Sequence, residues 1–165
     1  MDAAGFARAL DRYDIVTRSG DVIRRILVSD ERTHGSTAST IIEETCHENR
    51  FSHTEAVVRE HLRAFLEQEG VDSIVKDHHE EARLHGEAKI YHGKHEVHGF
   101  FVDFLDALPV GALERFDLRS LQIEGNIAYI TWRVGGDIPL GTDTFVVDDG
   151  KVVSQTFAMH AAVSA

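Results

Sequence analysis

The sequence predicts an α+β fold: a cone-shaped, curved antiparallel sheet with three helices on its concave side, preceded by an N-terminal extension. The first observation behind this is helical periodicity before Pro109. SHTEAVVREHLRAFLEQEG places Val57, Val58, His61, Leu62, Phe65 and Leu66 along one side, and KHEVHGFFVDFLDALP does the same with Val97, Phe101, Phe104, Leu105 and Leu108. The second is the change after Pro109 to β-rich runs, roughly Phe116 to Glu124, Ile127 to Val134, Leu140 to Val147 and Val152 to Ala162, punctuated by Gly125-Asn126, Gly135-Gly136 and Asp149-Gly150. The third is a phase change: Phe116 and Leu118 share one strand parity and Leu121 and Ile123 the other. A bulge near Arg119-Ser120 would reconcile the two and bend the sheet.

The elements follow in order. Residues 1–52 read as an extension or arm, and residues 53–165 as the cone domain. In the extension, Phe6, Leu10, Tyr13, Ile15 and Val16 could line a helix that fails near Ser19-Gly20, and Val22 to Val28 is compatible with helix or edge strand. Thr40 and Glu43 have capping-box spacing ahead of a short helix from about Ile41. Gly70 is expected to close the helix that begins near Thr54. A second short helix, Val71 to Lys76, turns Ile74 and Val75 inward. DHHEEARLHGEAKIY then reads as strand, loop around Gly86 and short strand, and Pro109 stops the third helix. The last hairpin is the clearest element, because a tight Asp-Gly turn needs φ > 0, which glycine adopts without strain.

Composition narrows the function. A chain of 165 residues with 42% hydrophobic and 27% charged residues can bury one domain-sized core. A formal charge of -11 argues against a nucleic-acid partner. No apolar run approaches membrane-spanning length, and the start lacks the pattern of a signal peptide, so a cytoplasmic protein is expected. The single cysteine, Cys46, has no internal disulfide partner and is read as packing. Eleven histidines are many for this length. They suit a solvated, pH-sensitive face, or a pocket or metal site drawing on a few of them. His92, His95 and His98 recur every third residue without the i, i+4 pairing that helical metal ligands use, and His78 and His85 have no recognised ligand spacing. No metal and no cofactor is therefore expected; glycine-rich nucleotide motifs and a nucleophile elbow are also absent from the sequence.

His61 lies inside an apolar helical stripe, as a hydrogen-bonded core histidine or as a ligand-facing one. Trp132 shares a strand face with Ala128 and Ile130, either in the core or as a flat wall for a ring-shaped ligand, with Tyr91 and Phe157 as further candidates of that kind. Met159 reads as core.

From Thr54 to Ala162 the order of elements resembles the nuclear-transport-factor-2-like superfamily, and its SnoaL-like branch above all. The likeness rests on the helix at Val57 to Leu66, IVKDHHEEARLH, YHGKHEVHGFF, ALPVGALERF, AYITW and DTFVVDDGKVVSQTFA. The superfamily contains isomerases, dehydratases, polyketide cyclases and non-catalytic binders. At the positions matching the base and the tyrosine donor of its ketosteroid isomerases this chain has Gly86 and Leu62, with His85 and Glu87 only neighbours of the base position, so that machinery is missing. A supporting tyrosine of those enzymes falls at His78. The resemblance to SnoaL-like cyclases implies Asp143 as the acid/base group, with His78, rather than its neighbour His79, facing the pocket to assist.

Two functional readings follow. In one, a small hydrophobic, ring-containing molecule binds in the cone and Asp143 removes a proton next to a carbonyl, as in isomerisation, cyclisation or dehydration. In the other, the domain is a non-catalytic ligand-binding or dimerisation module. Either way, the apolar outer face of the sheet suggests a homodimer.

Overall fold

The computed structural model describes residues 53–162. The expectations for residues 1–52, including the helix from Ile41 and the packing of Cys46, lie outside the described residues.

Helix α1 covers residues 53–66 and buries Thr54, Val58, His61, Leu62, Ala64 and Phe65. The residue that ends it is Gln68 rather than Gly70: Gln68 takes the left-handed conformation (φ 57), and the Glu69 N–H reaches the Ala64 carbonyl at 3.1 Å. Gly70 (φ 94) instead starts α2, Val71–Val75, its carbonyl accepting from the Ser73 and Ile74 N–H groups. Both turns fall within a few residues, so each helix needs its own left-handed position, and only one of the two is a glycine.

Strand β1, His78–His85, and the short β2, Ile90–His92, form an antiparallel pair that leads into α3, Gly93–Ala107. Leu108 is extended ahead of Pro109, where the helix ends. A 3-10 turn, Leu113–Arg115, introduces the meander β3 (Phe116–Glu124), β4 (Ile127–Val134), β5 (Ile138–Asp148) and β6 (Lys151–His160). The six strands form one sheet in the order β2-β1-β6-β5-β4-β3. All pairs are antiparallel except β1 with β6, which is parallel. The sheet is therefore mixed: β1 joins the meander from the far side, through α3, instead of through a hairpin.

Three register shifts in the meander curve the sheet. One lies between Leu118 and Ser120, where the sequence placed it; the others lie between Trp132 and Val134 and between Val146 and Val147. The inward set of the meander then reads Leu118, Leu121, Ile123, Ala128, Ile130, Trp132, Val134, Ile138, Asp143, Phe145, Val147, Val152 and Gln155. These residues and α1 form one apolar cluster, while α2, β1 and α3 form another with Phe65, Leu84 and Phe101. Burying this much apolar surface is the main stabilising term, at roughly 25 cal/mol per Å². Asp143 and Gln155 are polar residues within it. Among the described residues no helix is long and apolar enough to cross a membrane.

Candidate functional site

The polar centre of the cone begins with a glycine. Gly141 on β5 pairs with Trp132 on β4, and a Cβ at Gly141 would come within 2.3 Å of the indole ring. Without that carbon, the indole leans across β5 and its Nε1–H donates to Asp143 Oδ2 at 2.8 Å. Asp143 Oδ1 accepts from the Gln155 amide at 2.9 Å, and the Gln155 carbonyl oxygen pairs with His78 Nε2 at 3.0 Å. The chain Trp132–Asp143–Gln155–His78 thus links β4, β5, β6 and β1.

The direction of each bond follows from its chemistry. An ionised carboxylate only accepts, so the Gln155 nitrogen faces Asp143 and its oxygen faces His78; His78 then donates from Nε2. His61, on α1, donates from Nδ1 to the Ile74 carbonyl at 3.1 Å, which leaves its Nε2 as an acceptor. The His61 ring lies 5.6 Å from that of His78 and 5.1 Å from Phe145.

Burial sets the charges. It raises the Asp143 carboxyl to about 6, against the hydrogen bonds of Trp132 and Gln155, which favour the ionised form. It lowers His61 to about 3, helped by the nearby His78 and opposed by the Ile74 carbonyl. His78 is also lowered, first by burial and then by the charge of Lys94, while Gln155, Asp77 and the Val75 carbonyl pull the other way. Near neutral pH, the interior therefore holds an ionised aspartate and two neutral imidazoles.

Asp143 opens onto a small cavity of about 30 Å³, bordered by His61, Phe104, Trp132, Phe145, Gln155 and Phe157 among others. That is room for one or two waters. Its walls are aromatic rings in contact: Phe104 with Phe157 at 4.9 Å, and Phe116 stacked on Trp132 at 5.5 Å. Phe104 also borders a second, outer groove of about 350 Å³ with Leu108, Pro109, Ile138 and Met159.

Of the residues singled out from the sequence, Asp143, His61, Trp132 and Phe157 all border this cavity. His78 is buried while His79 is exposed, and His78 reaches Asp143 only through Gln155. Tyr91 lies elsewhere: it is half-buried, 5.1 Å from Phe100, with the Lys89 ammonium over its ring. β2 has only three residues and pairs outside β1, which holds the tyrosine away from Asp143. Gln155, which also borders the cavity, was not assigned to the site, because its inward orientation depends on a bulge that no sequence signal marked.

His79, His85, His92 and His95 are exposed, and His98 pairs with Asp72 at 3.2 Å. Among the described residues no group of three histidine, cysteine or acidic side chains converges on a metal position.

No protein-family model matches the sequence, and no curated protein matches it. The likeness is structural. The chain is similar to an NTF-2-like protein of unknown function from Burkholderia xenovorans, with a TM-score of 0.57 and 17% identity over 70% of this chain and 89% of that one. It is similar to a SnoaL-like protein of unknown function from Burkholderia thailandensis, with a TM-score of 0.53 and 13% identity over 67% and 97%. A proposed polyketide cyclase from Sinorhizobium meliloti aligns with a TM-score of 0.51 and 16% identity over 62% and 94%. The fold is thus that of NTF2-like and SnoaL-like proteins.

Proposed function

We propose that the cone binds a small, largely apolar, ring-containing molecule, and that Asp143 takes a proton from a carbon next to a carbonyl and returns it elsewhere on the molecule. The reaction class is isomerisation, cyclisation or dehydration without a cofactor. The observation that carries this reading is Asp143 itself: a carboxyl buried among aromatic rings and raised to about 6, close to the value at which a group both accepts and returns a proton near neutral pH. The Trp132 and Gln155 hydrogen bonds hold it in one orientation, so little reorganisation accompanies the transfer.

The cavity is much smaller than a ligand pocket of roughly 300 to 1,000 Å³. Phe104 borders both this cavity and the outer groove. Rotation of its ring would join the two spaces and admit a ring-sized molecule beside Asp143.

A second reading rests on two observations. Both Asp143 oxygens already hold hydrogen bonds, and aromatic side chains nearly fill the chamber. On this reading the domain binds a ligand or a second copy of itself without chemistry. The outer sheet face favours a homodimer in either case, because Ile127, Tyr129 and Leu140 are all exposed there.

The two readings are separated by Asp143→Asn, assayed against ring-containing β-keto and enol substrates alongside an apolar fluorescent probe. Catalysis predicts that turnover is lost while probe affinity and the melting transition stay close to those of the parent. Unchanged turnover would reject Asp143 as the base. Phe104→Ala should speed probe association in either case, and light scattering reports the dimer.

A further inference from the structure

His78 Nδ1 is a buried side-chain nitrogen with no hydrogen-bond partner, the one such polar atom among the described residues. Leaving a buried polar atom unpaired is costly, and it needs a physical reason. The bonding directions supply one. With Asp143 ionised, both of its oxygens accept, Gln155 must turn its nitrogen toward Oδ1, and His78 is left to donate from Nε2 to the Gln155 oxygen. The remaining nitrogen, Nδ1, is then a bare lone pair. The Val75 carbonyl favours a protonated ring, and as an acceptor it offers this lone pair nothing.

We propose that Gln155 is a positioning residue whose amide turns over when Asp143 takes up a proton, tying the protonation of Asp143 to the tautomer of His78. A protonated Asp143 needs an acceptor, and the only one within its bonded network is the Gln155 oxygen. After the amide turns, Asp143 Oδ1–H donates to Gln155 Oε1, Gln155 Nε2–H donates to His78 Nε2, and the His78 proton resides on Nδ1, on the side where the Val75 carbonyl can accept it. The proton count closes. One proton enters the network and stays on Asp143; the imidazole keeps a single proton that changes nitrogen by exchange with water. Each orientation of the amide matches one protonation state of Asp143, so the amide follows the proton.

The groups that face this network are few. His78 meets the charges of Asp77 beside it and Lys94 on α3, and the His61 ring on α1. Asp143 meets Trp132 and Gln155, and no other charged group among the described residues bears on it. Of these, only Gln155 takes part in the turnover; Asp77, Lys94, His61 and Trp132 do not, so the tautomer change should follow Asp143 alone.

The test needs no ligand and does not depend on the proposed reaction. In protein labelled with 15N at histidine, long-range proton–nitrogen spectra distinguish the two neutral tautomers by which ring nitrogen carries the pyrrole-like signal. As pH falls through the Asp143 titration, that signal of His78 should pass from Nε2 to Nδ1. Asp143→Asn fixes the acid-like pattern, because its amide donates to Gln155, so His78 should hold the Nδ1–H form at every pH. Gln155→Leu cuts the link, and His78 should then ignore the Asp143 titration. A His78 ring that keeps Nε2–H through the titration, or keeps it in a folded Asp143→Asn protein, overturns the proposal.

Discussion

Two carboxylates in this domain are displaced in opposite directions. Asp143, inside the cone, is raised to about 6, because burial removes the water that would solvate its charge and only two neutral donors replace it. Glu60, on the outer face of α1, is lowered to about 2 by hydrogen bonds from Arg63 and then Lys76, with Arg63 also holding Glu67 and Glu69. The Glu60 cluster contains more charges and shorter contacts, yet its energetic weight is small: exposed ion pairs contribute about 0 to 1 kcal/mol, because water solvates the separated charges nearly as well. The interior has fewer polar groups and larger consequences. The difference teaches that solvent access, more than the number of partners, decides which polar cluster controls stability and chemistry.

The largest expected effect disturbs the interior without touching charge. Gly141→Val would place side-chain atoms where the Trp132 ring lies, since even a Cβ meets that ring at 2.3 Å. Either the strand or the indole must shift, breaking the Trp132–Asp143 bond, for a loss of more than about 3 kcal/mol. Trp132 is the only tryptophan of the 165-residue chain, so its fluorescence and the denaturant midpoint report the change together. An unaltered emission spectrum and midpoint would show that the indole does not need that space.

The next effect depends on pH. His61 falls from 6.5 to about 3, so its stability contribution is present above 6.5 and lost as pH falls toward 3. Asp143 has the opposite sign: its raised value makes a contribution that is present below 3.8 and lost as pH rises through about 6. The two oppose each other in mild acid. His61→Gln, which keeps a donor for the Ile74 carbonyl, should remove the His61 part, so its stability relative to the parent should gain about 3 kcal/mol between neutral pH and about pH 4. Urea unfolding at several pH values measures this, and parallel profiles would contradict a buried neutral His61.

The smallest effect is on the outer cluster. Glu60→Gln should cost less than about 1 kcal/mol, and added salt should erase most of the difference. A loss as large as that of Gly141→Val would overturn the comparison.

Much of the fold was legible in the sequence because it rests on short-range rules. The stripe from Val57 to Leu66, the stop at Pro109 and the phase change after Leu118 each require only spacing and local sterics. The helix end at Gln68 was less legible, because a competing Gly70 stood two residues away and was needed by the next helix. For the site, parity and resemblance reached Asp143, His61, Trp132 and Phe157. They did not reach Gln155, and they put Tyr91 on the pocket wall, from which its short edge strand removes it.

By itself the sequence determined the order of helices and strands among the described residues and the Asp149-Gly150 turn, while the resemblance pointed to Asp143. The final hairpin illustrates what only the tertiary structure decided. Without a shift, the turn register that pairs Val147 with Val152 would set Ser154 and Thr156 inward. One extra residue at Val153 reverses the parity, turns those hydroxyls outward, and brings Gln155 opposite Phe145 and Phe157 opposite Asp143. A bulge is a local backbone irregularity chosen by what packs on both sides of the strand. Whether the polar groups of the cone meet therefore depends on the surrounding core.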